Sequence, residues 1–113
     1  MTHPSRGEVW QVDLNPTKGH EQQGVRPALV VSVDTFNHGP AGLVVVVPIT
    51  TISKGIASHL RIDPPKGGAT EIAYVKCEEI RCISKERFRR LRGTVDSKTM
   101  EEVAYRISHI LGL

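Results

Sequence analysis

The chain is poor in cysteine, in aromatic residues and in long apolar runs. Its 113 residues include two cysteines, Cys77 and Cys82, and only 4% aromatic residues. Two thiols in one segment, without a second Cys or His pair at ligand spacing, indicate neither a disulfide framework nor a zinc site, so we expect reduced, mostly buried thiols. So few rings argue against an extended platform for stacking nucleobases.

Targeting segments are missing as well. Residues 1–8 are polar and contain no apolar core of a signal peptide, and no segment approaches the roughly 18 apolar residues of a membrane helix. We therefore expect a cytoplasmic protein with no membrane segment. The net charge of +3 and the pI of about 9.1 are compatible with a polyanionic partner but do not establish one.

The residues that are present predict many short strands. A composition of 39% hydrophobic and 24% charged residues fits one globular domain over residues 1–113. Alternating or valine-rich apolar segments separated by Gly and Pro are typical of a small barrel or sandwich. The predicted strands cover residues 7–13, 26–33, 43–50, 58–62, 71–75 and 77–81.

The C-terminal segment has a different period. Apolar residues recur there at helical spacing, with Asp96 as a candidate N-cap and Gly112 as a C-terminal breaker. This pattern predicts one amphipathic helix of about fifteen residues, packed on the strands.

Four positions could carry chemistry. Arg26 lies where a glycine-bracketed loop, residues 19–27, enters a strand, and its planar fork of donors suits a phosphate group. Thr50 offers a hydroxyl at the end of the valine-rich strand. Lys76 and Glu78 are two residues apart on a predicted strand, so we expect them to share one face.

Several polar side chains have a structural alternative to function. Glu21 could accept a proton or pair with Arg26, or simply form a surface ion pair. His20 could shuttle protons near neutral pH, or be solvated. The basic cluster before the C-terminal helix could follow a phosphate backbone or form a solvated face. That cluster consists of Lys85, Arg87, Arg89, Arg90 and Arg92.

The loop from Asp13 to Pro27, DLNPTKGHEQQGVRP, resembles the signature loop of the MazF/PemK/Kid toxins, which are ribosome-independent endoribonucleases of bacterial toxin–antitoxin systems. The family pattern is approximately D-x-x-P-[TV]-x-G-x-E-Q-x-G-x-R-P, and every fixed position is met. Residues 6–10 resemble the family's opening strand, residues 47–51 its third-strand end, and residues 76–81 its C-D-Q segment. The resemblance covers nearly the whole chain.

The resemblance implies a mainly β fold with a C-terminal helix, an SH3-like barrel that forms homodimers. It also implies sequence-specific cleavage of single-stranded RNA without a metal or cofactor, giving 2′,3′-cyclic phosphate and 5′-OH ends. Arg26 matches the arginine that acts as acid and phosphate clamp, and Thr50 matches the threonine that positions the phosphate. Glu21 and Glu78 match further catalytic positions, and the general base stays open between Glu78, Glu21 and neither.

The expected substrate contacts are more numerous, and three of the matched positions depart from the family. Glu78-Glu79 stands where the family has Asp-Gln, and Lys76 replaces an arginine, so the cleavage motif cannot be transferred. The residues that we expect to bind RNA are Lys18, His20, Gln22, Lys54, Lys76 and Arg81.

The resemblance further implies a cognate partner, a MazE-like antitoxin whose acidic C-terminal segment occupies the RNA-binding surface. One alternative is a non-enzymatic toxin of the CcdB type that binds DNA gyrase, and another is an inactive relative that binds antitoxin or RNA only. Arg26 and Thr50 favour the enzyme, since a gyrase binder has no need of them.

Overall fold

The computed structural model describes residues 3–15, 18–21 and 24–113. Strands dominate this part of the chain, and a long helix ends it, which confirms the mainly β class with a C-terminal helix. The elements are β1 (Glu8–Asp13), β2 (Val25–Val30), α1 (Asp34–Asn37), β3 (Leu43–Thr50), β4 (His59–Ile62), β5 (Ala73–Lys76), β6 (Arg81–Ser84), β7 (Phe88–Thr94) and α2 (Ser97–Leu111). Short 3₁₀ turns cover Lys66–Gly68, Cys77–Glu79 and Lys85–Arg87.

The strands form one antiparallel path in the order β4-β5-β3-β2-β1-β7, and β6 pairs with β3 beside this path. β3 pairs with β6 up to Val46 and with β5 from Ile49. Pro48 lies between these two ladders, where its missing N–H removes no hydrogen bond on that side. No ladder joins β4 to β7 within the described ranges, so hydrogen bonding leaves the expected barrel open.

Both faces of the sheet carry a core. Leu29 and Val47 are buried on one face, and α2 covers this face with Met100 and Val103. The other face buries a second cluster that includes Val30. Because β2 and β3 are covered on both sides, their sequences are nearly continuous apolar runs rather than alternating ones.

Two strand predictions differ from the structure. The segment 77–81 does not form a strand, because the chain leaves β5 at Lys76, turns through Cys77–Glu79 and starts β6 only at Arg81. β7 was not predicted, because the sequence FRRLRGT has four polar or charged residues and no clear apolar period. Pairing with β1, interrupted by two register shifts, makes this segment a strand.

The predicted helix is confirmed as α2. The Asp96 carboxylate accepts a hydrogen bond from the Thr99 backbone N–H at 2.8 Å. Hydrogen bonds from the Thr99 side chain and from this N–H hold the pKa of Asp96 below its ordinary value. Gly112 ends the helix with a φ of +73°, in the left-handed region that favours glycine. No helix in the described ranges is long and apolar enough to span a membrane.

The two thiols differ in environment. Cys77 is buried, and desolvation raises the pKa of its thiol to about 11, so it stays protonated and unreactive at neutral pH. Cys82 is exposed on β6, which corrects the expectation of mostly buried thiols.

Candidate active site

A cavity of about 330 Å³ opens where β1, β2 and β3 meet the segment after the Lys66–Gly68 turn. Arg26 and Thr50 both line it, so the structure brings together the two residues that the sequence singled out first. Its floor is apolar and its rim is polar. The polar lining residues are Gln11, Arg26, Thr50, Thr51, Thr70, Glu71 and Arg92.

Strand register explains why Arg26 and Thr50 meet. In the β2–β3 ladder Ala28 lies opposite Pro48 and Leu29 opposite Val47. This register brings the start of β2 and the end of β3 to the same edge of the sheet, and both Arg26 and Thr50 line the cavity there. A cation and a hydroxyl therefore converge at the end of the sheet.

The Thr50 hydroxyl has a fixed local partner. Its Oγ1 accepts a hydrogen bond from the Ile52 backbone N–H at 3.2 Å, where β3 ends and the chain bends. Since a hydroxyl has one donor and two acceptor sites, this bond leaves the Thr50 proton available for donation. Arg26 is an exposed side chain whose planar guanidinium offers a fork of N–H donors.

The sequence did not single out Gln11 and Glu71 for the site, and it gave Arg92 only as a member of the basic cluster. Gln11 lies on β1, and its carbonyl oxygen Oε1 is buried without a hydrogen-bond partner. Arg92 lies on β7 and donates from Nη2 to the Gly68 carbonyl oxygen at 3.1 Å. Glu71 is an exposed carboxylate on the opposite rim.

A sequence signal for a position at the cavity existed for only one of these residues. Gln11 is two residues from Val9, so both side chains point to the same face of β1, and a polar residue beside a buried valine is unusual there. Arg92 is in the basic cluster that the sequence indicated, but its place at the cavity depends on β7 and its register shift, which the sequence did not predict. Glu71 reaches the cavity through the course of the 63–72 loop, which residue spacing does not define.

Lys18, His20 and Glu21 are not among the residues that line the cavity. All three are exposed, and the Glu21 carboxylate accepts the Lys18 backbone N–H at 2.8 Å. Glu21 thus stabilises the turn at the tip of the 14–24 loop, in keeping with the structural alternative. Gln22 lies outside the described residues.

Glu78 belongs to a separate cluster at the far end of the β4–β5 hairpin. Its two carboxylate oxygens contact Ser58 Oγ at 2.9 Å and His59 Nε2 at 2.8 Å. Burial alone would raise the pKa of Glu78, but hydrogen bonds from its own backbone N–H, His59 and Ser58 outweigh burial and hold the pKa below its ordinary value. The His59 side chain is 3% exposed and its Nδ1 has no hydrogen-bond partner.

Lys76 and Glu78 are not residues of the same strand, which corrects the prediction. Lys76 is the last residue of β5, and Glu78 follows in the Cys77–Glu79 turn, where the two-residue period of a strand no longer holds. Lys76 is buried, and its Nζ lies 2.5 Å from Glu79 Oε2. It is not among the residues that line the cavity, and its contact with RNA stays a prediction.

The remaining expected RNA contacts are also elsewhere. Arg81 donates from Nη1 to the Leu14 carbonyl oxygen at 3.1 Å, so it holds the start of the 14–24 loop. Lys54 is exposed in the segment between β3 and β4, and neither residue lines the cavity.

The basic cluster serves more than one purpose. Arg87 donates from Nη1 to the carbonyl oxygens of Asp13, at 3.1 Å, and of Asn15. Arg89 lies 3.6 Å from the Asp13 carboxylate. These arginines hold the loop, Arg92 faces the cavity, and Arg90 is exposed.

No three His, Cys, Asp or Glu side chains lie close enough together to hold a metal ion within the described part of the chain.

The fold and the cavity define a small, mainly β protein with a candidate phosphate-binding site at the end of its sheet. A family model described as the PemK-like, MazF-like toxin of type II toxin–antitoxin systems matches residues 5–111. Endoribonuclease PemK of Escherichia coli is 38% identical over 110 residues, which cover 94% of this chain and 80% of that protein. The chain belongs to the PemK-like, MazF-like toxin family.

Solved structures agree with this assignment. The crystal structure of MazF from Deinococcus radiodurans matches with a TM-score of 0.89 and 25% identity, covering 100% of both chains. A MazE–MazF structure from the same organism matches with a TM-score of 0.80 and 27% identity, covering 100% of this chain and 99% of that one. The resemblance first noted in the Asp13–Pro27 loop is confirmed over the whole fold.

Proposed function

We propose that this chain is an endoribonuclease that cleaves single-stranded RNA and is the toxin of a type II toxin–antitoxin module. It acts in the cytoplasm as a single domain over residues 1–113. The observation that carries the proposal is the convergence of Arg26 and Thr50 in one cavity, on a chain that is 38% identical to an endoribonuclease.

The chemistry that suits these residues is attack by the ribose 2′-oxygen on the adjacent phosphorus. The O2′–P bond forms and the P–O5′ bond breaks, while the 2′-OH loses its proton and O5′ gains one. The products are a 2′,3′-cyclic phosphate and a 5′-OH, and the reaction uses no metal or cofactor. Arg26 binds the non-bridging oxygens and protonates O5′, and the Thr50 hydroxyl donates a hydrogen bond to the phosphate.

We assign the general base to Glu71. It is the carboxylate that lines the cavity among the described residues, whereas Glu21 is bound in the tip turn and Glu78 in the His59 cluster. Three variants separate these candidates: Glu71→Gln, Glu21→Gln and Glu78→Gln. Glu71→Gln should lower kcat by about 100-fold and remove the acid limb of the pH–rate profile, whereas the other two should keep that limb.

The first test is digestion of a long, unstructured RNA in EDTA, with the fragment ends mapped chemically. Wild type should give recurrent cuts with cyclic-phosphate and 5′-OH ends. Arg26→Ala should lose about 100-fold or more in rate, and Thr50→Ala about tenfold. Arg90→Ala is the matched control, because it removes an exposed arginine that does not line the cavity, and its rate should stay within about twofold of wild type.

Two outcomes would contradict the proposal. If folded wild-type protein cuts no RNA, the enzyme assignment fails, and gyrase binding becomes the next measurement. If Arg26→Ala and Arg90→Ala lose the same activity, the cavity is not the site.

The proposal includes two protein partners. The first is a cognate MazE-like antitoxin with an acidic segment that occupies the cavity, since a site with Arg26 and Arg92 attracts carboxylates as well as phosphates. The second is another copy of this chain, because apolar side chains stay exposed near the end of α2, including Tyr105 and Leu111. Light scattering after gel filtration measures the dimer, and competition between an acidic peptide and RNA measures the shared surface.

A further inference from the structure

Gln11 is an unusual residue for its position. It lies at the centre of β1, opposite Pro27 on β2 and Arg90 on β7. Pro27 has no backbone N–H, so it cannot donate to the glutamine. The Gln11 carbonyl oxygen is buried and has no hydrogen-bond partner, and leaving a buried acceptor unpaired costs stability. An apolar residue would fit this face better.

Arg92 lies across the same cavity. It falls at a register shift of the β1–β7 ladder, where Trp10 pairs with Leu91 and Val9 with Gly93, so it has no partner residue of its own on β1. Such a bulge re-aims a side chain. Its Nη2 donates to the Gly68 carbonyl oxygen, which holds the half-buried guanidinium and leaves its other donors for a ligand.

We propose that Gln11 and Arg92 form a subsite that recognises one base of single-stranded RNA beside the Arg26–Thr50 pair. The Gln11 carbonyl oxygen accepts an N–H from the base, and Arg92 donates to a neighbouring carbonyl or ring nitrogen. Bases in single strands expose the edges that such pairs read. This inference rests on the proposed function and adds which residues select the cleavage motif.

Two substitutions of Gln11 separate recognition from structure. Gln11→Met has nearly the same shape without the acceptor, and Gln11→Glu keeps an acceptor oxygen. Sequencing of the cut ends should show that Gln11→Met relaxes the base preference at one position of the motif. Its cleavage rate on the preferred RNA should be about tenfold lower than that of wild type. Glu should keep that preference, although its charge weakens binding at low salt.

A variant of Arg92 and a control variant test the other half of the subsite. Arg92→Ala should weaken selection at the same motif position as Gln11→Met. Lys98→Ala, which removes an exposed cation on α2 outside the cavity lining, should leave the motif unchanged. If the two cavity variants alter different positions, they do not form one subsite.

Thermal unfolding supplies a readout that needs no RNA. Removing an unpaired buried carbonyl should raise the Tm of Gln11→Met by a few degrees. A lower Tm would mean that the amide is bonded within the fold, and would overturn the proposal.

Binding measurements distinguish the two proposals. Oligonucleotides carrying a 2′-deoxyribose at the cut site bind but cannot react, so anisotropy reports base preference directly. If wild type binds and cuts at a motif and Gln11→Met keeps the same preference, only the subsite is wrong. If wild type neither binds nor cuts RNA, the proposed function fails and the subsite with it.

Discussion

Lys76 and Glu79 form an ion pair inside the protein, with 2.5 Å between Nζ and Oε2 and side-chain exposures of 5% and 19%. The family has an arginine and a glutamine at these positions, so the two departures from the family motif contact one another here. The acid at position 79 therefore compensates a buried cation.

This pair gives the first prediction. Glu79→Gln should lower the free energy of unfolding by about 3 kcal/mol, because it leaves a buried ammonium without its carboxylate. The double variant Lys76→Met/Glu79→Leu should lose less than the sum of the single variants. Urea denaturation of Glu79→Gln measures the first effect. Denaturation of wild type, Lys76→Met, Glu79→Leu and the double variant measures the coupling, and strict additivity would mean that the two charges do not interact.

Acid stability should depend on Glu78. The pKa of Glu78 is held below its ordinary value in the folded state. Its ionised carboxylate therefore contributes fully to the free energy of unfolding above the unfolded-state pKa, and this contribution is lost as the pH falls through the folded-state pKa. Wild type should therefore exceed Glu78→Gln in stability at pH 7, and the difference should shrink between about pH 5 and pH 3. Guanidinium unfolding of both proteins across this pH range measures the difference in free energy of unfolding. A difference that does not change with pH would show that ionisation of Glu78 does not affect stability.

Gly68 should tolerate alanine poorly. Its φ is +74°, and an added Cβ would lie 2.4 Å from the Arg92 backbone oxygen. Gly55 has a similar φ of +64° but open space around it, so it is a matched control for backbone strain alone. Gly55→Ala should cost about 1 kcal/mol and Gly68→Ala about 3 kcal/mol or more. Equal losses of stability in the two variants would show that the backbone at Gly68 and Arg92 moves apart without cost.

Arg87 should act on activity from outside the cavity. Its guanidinium holds the carbonyl oxygens of Asp13 and Asn15, which fix the start of the loop that leads to Arg26. Arg87→Ala should lower the RNA cleavage rate about tenfold through misplacement of Arg26. Arg90→Ala removes the same charge without such contacts, and an equal effect of both variants would identify general electrostatics instead.

Much of the fold was accessible from the sequence because local and tertiary preferences agree. The valine run of β3 cannot form a stable helix, and Asp96 and Gly112 satisfy the ends of α2 with their own chemistry. β7 was missed because its strand conformation depends on pairing with β1 and not on its own composition.

The site was accessible only in part. Arg26 and Thr50 meet because each lies at a strand end, and the register of β2 and β3 aligns those ends. The sequence indicated Gln11 weakly, as a polar residue on a buried face. The position of Arg92 at the cavity depends on a β-bulge, and that of Glu71 depends on the course of a loop. The prediction of Lys76 and Glu78 on one strand is wrong because β5 ends at Lys76, and the two-residue period of a strand does not continue beyond it.

The Lys66–Gly68 turn occupies the place where a closed barrel would have a ladder between β4 and β7. Backbone contact between Gly68 and Gly93, with the Arg92 hydrogen bond, replaces that ladder. A seam held by so few bonds opens at a lower free energy than the paired strands. The same segment continues into Thr70 and Glu71 at the cavity wall. Occupation of the cavity is therefore thermodynamically linked to closure of the sheet, and slower amide exchange at this seam would report a bound ligand.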